Sequence, residues 1–88
     1  VFTGEGKIDS QSLGGKVVIG VARRAKRQGV PVIAVVGDIG DPIDDAYDQG
    51  VSAIFSINRV AVPYAKARLR AKLDLEKTME NICRFWCI

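Results

Sequence analysis

The chain has 88 residues, 48% hydrophobic and 26% charged, with 13 Lys/Arg against 10 Asp/Glu for a net charge of +3. That is the composition of one small globular domain; it excludes collagen-like, low-complexity and disordered classes, and no apolar run approaches the ~20 residues that span a bilayer. The absence of histidine excludes Ser–His–Asp and Cys–His catalysis and any His-ligated metal centre within these residues.

Val1 and Phe2 read as the end of a strand (1–2), so the chain is expected to be a piece of something larger. A glycine-rich loop, TGEGKIDSQSLGGK, then covers residues 3–16. Val17, Val18, Val21, Ala22 and Ala25 recur at helical spacing, with Arg23, Arg24, Lys26 and Arg27 on the opposite face. Gly29 followed by Pro31 stops that helix, because glycine accepts the left-handed position after a helix end and proline cannot extend one. Val32-Ile33-Ala34-Val35-Val36 is apolar on both faces, as a central parallel strand requires. Asp41 reads as a helix N-cap, Pro42 as the first helical residue, and Asp44 and Asp45 as charges suited to a helix start; Gly50 ends that helix.

A third strand is expected over Ala53-Ile54-Phe55-Ser56-Ile57. A long helical region follows, its apolar stripe formed by Leu69, Leu73, Met79, Ile82 and Trp86, with a bend near Leu73–Asp74. The order β-α-β-α-β-α predicts an α/β fold with a parallel sheet and right-handed crossovers. Cys83 and Cys87 stand four apart, poorly placed for a disulfide and too few for a four-cysteine zinc site, which points to a reducing, cytoplasmic setting.

The glycine-rich segment carries the strongest functional signal, since connections in α/β units are commonly 2–6 residues and a longer one usually has a task. It is not a P-loop, because Gly15-Lys16 is followed by Val17 and Ser10 stands where the first glycine should be. It is not a dinucleotide fingerprint either, because Asp9 replaces the third glycine after Gly4 and Gly6. What it offers is glycines that open backbone amides to a ligand, carboxylates at Glu5 and Asp9, and cations at Lys7 and Lys16. Phosphoryl transfer needs that mixture; a solvated loop in which Asp9 or Ser12 caps the next helix is the plainer reading of the same residues. Asp38, and Asn58 with Arg59, follow the second and third strands, where open α/β sheets place ligands and where capping residues also occur.

The string VFTGEGKIDSQSLGGKVVIGVARRAK resembles the C-terminal signature of the type I glycerate kinases, as do GVPVIAVVGDIGD, AYDQGVSAIFSI and the TMENICR helix in their order and spacing. The resemblance covers nearly the whole chain, as roughly the last quarter of a complete member. It implies one α/β portion, residues 1–88, of a two-domain kinase whose active site lies between domains. It also implies ATP and Mg2+ as cofactors and phosphorylation of D-glycerate to a phosphoglycerate. Carried over by position, Glu5 and Asp9 are the candidate catalytic residues and candidate metal ligands. Thr3, Gly4, Gly6, Lys7, Gln11 and Lys16 are the candidate substrate- or phosphate-binding residues.

The expected partners are glycerate, a nucleotide and the rest of the parent kinase, with self-association of the isolated piece through the apolar helix stripe as a further expectation. The alternative function is a non-catalytic α/β module that binds a phosphate or small organic acid. A nucleic-acid surface along Lys66, Arg68, Arg70 and Lys72 is disfavoured, because Tyr64 is the only aromatic there and the net charge is small. No membrane partner is expected.

Overall fold

Three parallel strands lie side by side in the order β1 (Phe2–Ile8), β2 (Ile33–Ile39) and β3 (Ala53–Ser56). The computed structural model describes residues 1–9, 16–40 and 42–88; Gln11, expected above as a ligand contact, and Ser12 and Asp41, expected as helix caps, lie outside them. Helix α1 (Lys16–Arg27) joins β1 to β2, and the short α2 (Asp45–Asp48) joins β2 to β3. The chain then runs through α3 (Tyr64–Ala67) and one 3-10 turn (Arg68–Arg70) into α4 (Ala71–Trp86). The α/β class and the parallel strand order are those expected from the sequence.

Stepping from β1 to β2 to β3 in one direction with right-handed crossovers puts α1 and α2 on the same face of the sheet. The core sits there: Val18 and Ala22 of α1, Ala46 of α2, and Val32, Ala34 and Val36 at the sheet are all buried. Part of the basic side of α1 is used to hold α2. Arg23 Nε donates to Gln49 Oε1 at 2.7 Å, and Lys26 Nζ donates to the carbonyl of Asp48 at 2.9 Å. Both helices end in the same way. Val30 N–H reaches the Ala25 carbonyl and Gly29 N–H the Lys26 carbonyl; Val51 and Gly50 repeat the pattern on Ala46 and Tyr47. Each motif needs a left-handed residue, which Gly29 (φ 69°) and Gly50 (φ 111°) provide.

The structure corrects four expectations. The glycine-rich segment is not a loop from residue 3: β1 runs to Ile8, and Gly4 and Gly6 hold ordinary extended backbone. Pairing with β2, from Phe2 opposite Ile33 to Ile8 opposite Ile39, overrides the weak intrinsic strand preference of glycine. Helix α2 begins at Asp45, not after Asp41, so Pro42 precedes it and Asp44 makes no side-chain cap. The break in the C-terminal helix falls at Arg68–Arg70, ahead of Leu73–Asp74.

The stripe on α4 is also rotated. Of the expected stripe, Ile82 is buried and Met79 half-buried, but Leu69 is 81% exposed, Leu73 45% and Trp86 65%; Asp74 is buried and Thr78 half-buried in their place. The inward row of α4 thus begins with a charge. Arg59 Nη1 and Arg70 Nη2 both donate to Asp74 Oδ1, at 3.2 and 3.4 Å, and this pairing fixes the helix rotation more strongly than Leu69 and Leu73 do.

Candidate functional site

All three strands point the same way, so their C-terminal tips share one edge, the place where open α/β sheets bind ligands. Because α1 runs back antiparallel to β1, its first residue, Lys16, lies at this edge too, exposed and with no acidic residue in its turn. A cation there opposes the helix dipole.

The tips are held in register by glycine and amide contacts. Gly40 N–H donates to the Ile8 carbonyl at 2.8 Å, and Ile57 N–H to the Val36 carbonyl at 2.9 Å. Asn58 Nδ2 donates to the Gly37 carbonyl at 2.7 Å, and Ser56 Oγ accepts from Asn58 N–H at 3.1 Å. A Cβ on Gly37 would stand 2.6 Å from the Gly6 carbonyl oxygen, so β1 and β2 approach closely only because this position has no side chain. A Cβ on Gly40 would meet Asp9 Cβ at 2.6 Å and Lys7 Cε at 3.5 Å. The side chains of Lys7 and Asp9 therefore come together over Gly40. Lys7 is also the register partner of Asp38, roughly 4.8 Å away across the ladder.

Next to this pair, the tips and the segment leading into α4 enclose a cleft of about 440 Å³, lined among others by Gly6, Gly37, Asp38, Asn58, Tyr64 and Arg68. Neither Lys7 nor Asp9 lines it.

The candidate residues are thus not one cradle. Lys7 and Asp9 are together at the tips, with Lys16 at the same edge. Strand rise is about 3.3 Å per residue, which sets Glu5 roughly 13 Å and Thr3 roughly 20 Å up-strand from Asp9. Glu5 and Asp9 are accordingly too far apart to share one ion. Thr3, Gly4 and Gly6 border a groove between β1 and α4, about 530 Å³ and closed on the helix side by Leu75 and Met79. Asp38 accepts from the neighbouring Ile39 N–H at 2.9 Å, and Arg59 points its Nη1 away to Asp74, at 3.2 Å. Sequence reasoning misses Gly37, Gly40 and Ser56 as residues that shape the edge; the signal for the glycines is their spacing around Asp38 directly after an apolar strand. Both cysteines are free and exposed.

The model of the Glycerate kinase family matches residues 1–87. The chain belongs to the glycerate kinase family. It is 45% identical over 82 residues to glycerate kinase of Bacillus subtilis, covering 93% of this chain and 22% of the relative. Against glycerate kinase of Bacillus cereus it is 38% identical over 88 residues, 100% of this chain and 23% of the relative. Against glycerate 2-kinase of Escherichia coli it is 49% identical over 57 residues, 65% of this chain and 15% of the relative. This glycerate kinase family chain thus spans a little over a fifth of the length of the first two relatives. No helix among the described residues is long and apolar enough to cross a membrane.

Proposed function

We propose that this chain is the C-terminal portion of an ATP-dependent glycerate kinase and supplies one edge of its active-site cleft. The observation that carries this reading is the meeting of Lys7 and Asp9 over Gly40 at the strand tips, inside the family's matched segment. Phosphoryl transfer depends on cations at the phosphate oxygens and a carboxylate near the attacking hydroxyl. Lys7 holds phosphate oxygens, and Arg68 offers a second cation from the neighbouring cleft. Asp9 orients the glycerate hydroxyl and takes its proton as the hydroxyl oxygen bonds to the γ-phosphorus, while the bond to the β,γ-bridging oxygen breaks and ADP leaves.

The donors at this edge suit Mg2+, which takes one or two carboxylates and fills its remaining positions with water and phosphate oxygens. Asp9 and Asp38 provide them, and the described residues hold no group of three or more ligands that would form an all-protein cage. When bound, Mg2+ neutralises charge on the phosphates. Glu5 stands apart from this ion and belongs to the strand's half-buried side.

The test replaces the matching segment of the Bacillus subtilis enzyme with this chain and follows ADP release with glycerate. The chimera turns over, and Lys7→Gln and Asp9→Asn each lower kcat by about 100-fold or more, the size expected for removing a transition-state charge contact. Lys66→Gln leaves the rate unchanged, and the 88-residue chain alone gives no turnover, since one edge cannot position both reactants. Near-normal kcat in both site variants, with the fold intact, refutes the assignment.

A further inference from the structure

Helix α4 covers the second face of the sheet with a groove on either side. The one toward β1 is apolar; the one toward β3 is not. We propose that this β3–α4 cleft is a second anion site, separate from the strand tips, that takes a small phosphate-bearing molecule.

The cleft encloses about 470 Å³, within the range of small-ligand sites. Phe55 and Ile82 give it an apolar floor, and Ser56, Arg59, Lys77, Thr78, Asn81 and Arg84 line the rest. Three cations face it against one carboxylate, Glu80. Glu80 lies 3.6 Å from both Lys77 Nζ and Arg84 Nη2, and all three side chains are close to half exposed or more. Exposed pairs of this kind are worth ~0–1 kcal/mol, so an incoming anion displaces Glu80 at little cost. Arg59 is not neutralised by its own partner either. It shares the single oxygen Asp74 Oδ1 with Arg70, which leaves two guanidinium groups on one carboxylate and a surplus positive charge beside the cleft.

An independent observation comes from Thr78. Its Oγ1 is buried and has no hydrogen-bond partner, although a buried hydroxyl ordinarily finds one. Thr78 lines this cleft, and a χ1 change that turns the hydroxyl toward it, one of the two rotamers threonine uses in helices, would let an anionic oxygen among Arg59, Lys77 and Arg84 satisfy it. A phosphate group, with a charge near −1.5 to −2 at neutral pH and three acceptor oxygens, matches the charge surplus and the donors. Inorganic phosphate would fill only part of the volume, which leaves room over Phe55 for a small organic body.

The test titrates inorganic phosphate into the 88-residue chain at low ionic strength and follows amide and side-chain NMR signals. Saturable shifts are expected at Thr78 and Asn81, with acetate at equal ionic strength producing much weaker ones. Thr78→Val and the double variant Lys77→Gln/Arg84→Gln should each weaken binding about 10-fold while keeping the wild-type circular dichroism and melting curve. Lys66→Gln, an exposed cation outside both sites, should leave the shifts at Thr78 and Asn81 unchanged. Shifts that never saturate, that acetate reproduces, or that survive in both cleft variants overturn the proposal. The measurement involves neither ATP nor turnover, so its outcome is independent of the kinase reading.

Discussion

Gly37→Ala tests how the strand tips are held. The new Cβ would stand 2.6 Å from the Gly6 carbonyl oxygen, where contacts below 3.0 Å are essentially never seen. The obstacle is backbone, so no side chain can swing aside. β1 must move off β2 by at least about 0.4 Å, an overpacking strain typically worth ~1–3 kcal/mol. Movement of that size also stretches the adjoining ladder, and weakening one bond adds roughly 0.5–1.5 kcal/mol. The expected loss is about 2–4 kcal/mol, large against the ~5–15 kcal/mol that small domains possess in all. Urea unfolding followed by circular dichroism measures it. Hydrogen exchange locates it, with faster exchange expected at the amides pairing β1 with β2 and little change between β2 and β3. A loss under about 0.5 kcal/mol, the ordinary scale of a surface change, with β1–β2 amides protected as before, would refute the close-approach argument.

Asp74→Asn keeps the side-chain shape but leaves two guanidinium groups without a charge partner. Both arginines are more than a third exposed and recover some hydration, so the expected loss is about 2 kcal/mol, below the ~3–5 kcal/mol of a fully buried pair broken on one side. Urea unfolding reads it, and wild-type stability would show that the pairing does not anchor α4. Ile82→Ala should cost ~2–4 kcal/mol as a buried truncation, whereas Leu73→Ala should stay within about 0.5 kcal/mol, as surface changes do. Equal effects at the two positions in thermal melts would mean that α4 is rotated from the orientation described.

The parts of this fold legible in the sequence are those written in local chemistry. Gly29 and Gly50 announce helix ends because only a residue tolerant of positive φ closes that motif, and the run Val32 to Val36 announces a strand buried on both faces. The parts that stayed hidden depend on partners distant in the chain. TGEGKI looks like a loop until β2 is laid beside it, because ladder pairing is supplied by residues about thirty positions away. An apolar stripe cannot reveal that α4 turns a carboxylate inward, since Asp74 is stable there only with Arg59 and Arg70 around it. The candidate site shows the same division. Lys7 and Asp9 are legible as a lysine and a carboxylate two apart near a turn. That Glu5 stands on the strand well behind them follows only from where β1 ends.

Phe2, at the start of β1, and Trp86, in the last turn of α4, lie with ring centroids 6.2 Å apart and planes tilted by 41°. The start of β1 and the last turn of α4 therefore meet at one pole, while the strand tips occupy the other, a strand length of roughly 23 Å away. An aromatic pair is worth about 0.5–1.5 kcal/mol beyond its area burial, so this contact fastens α4 to the sheet at the end remote from the ligand-facing edge.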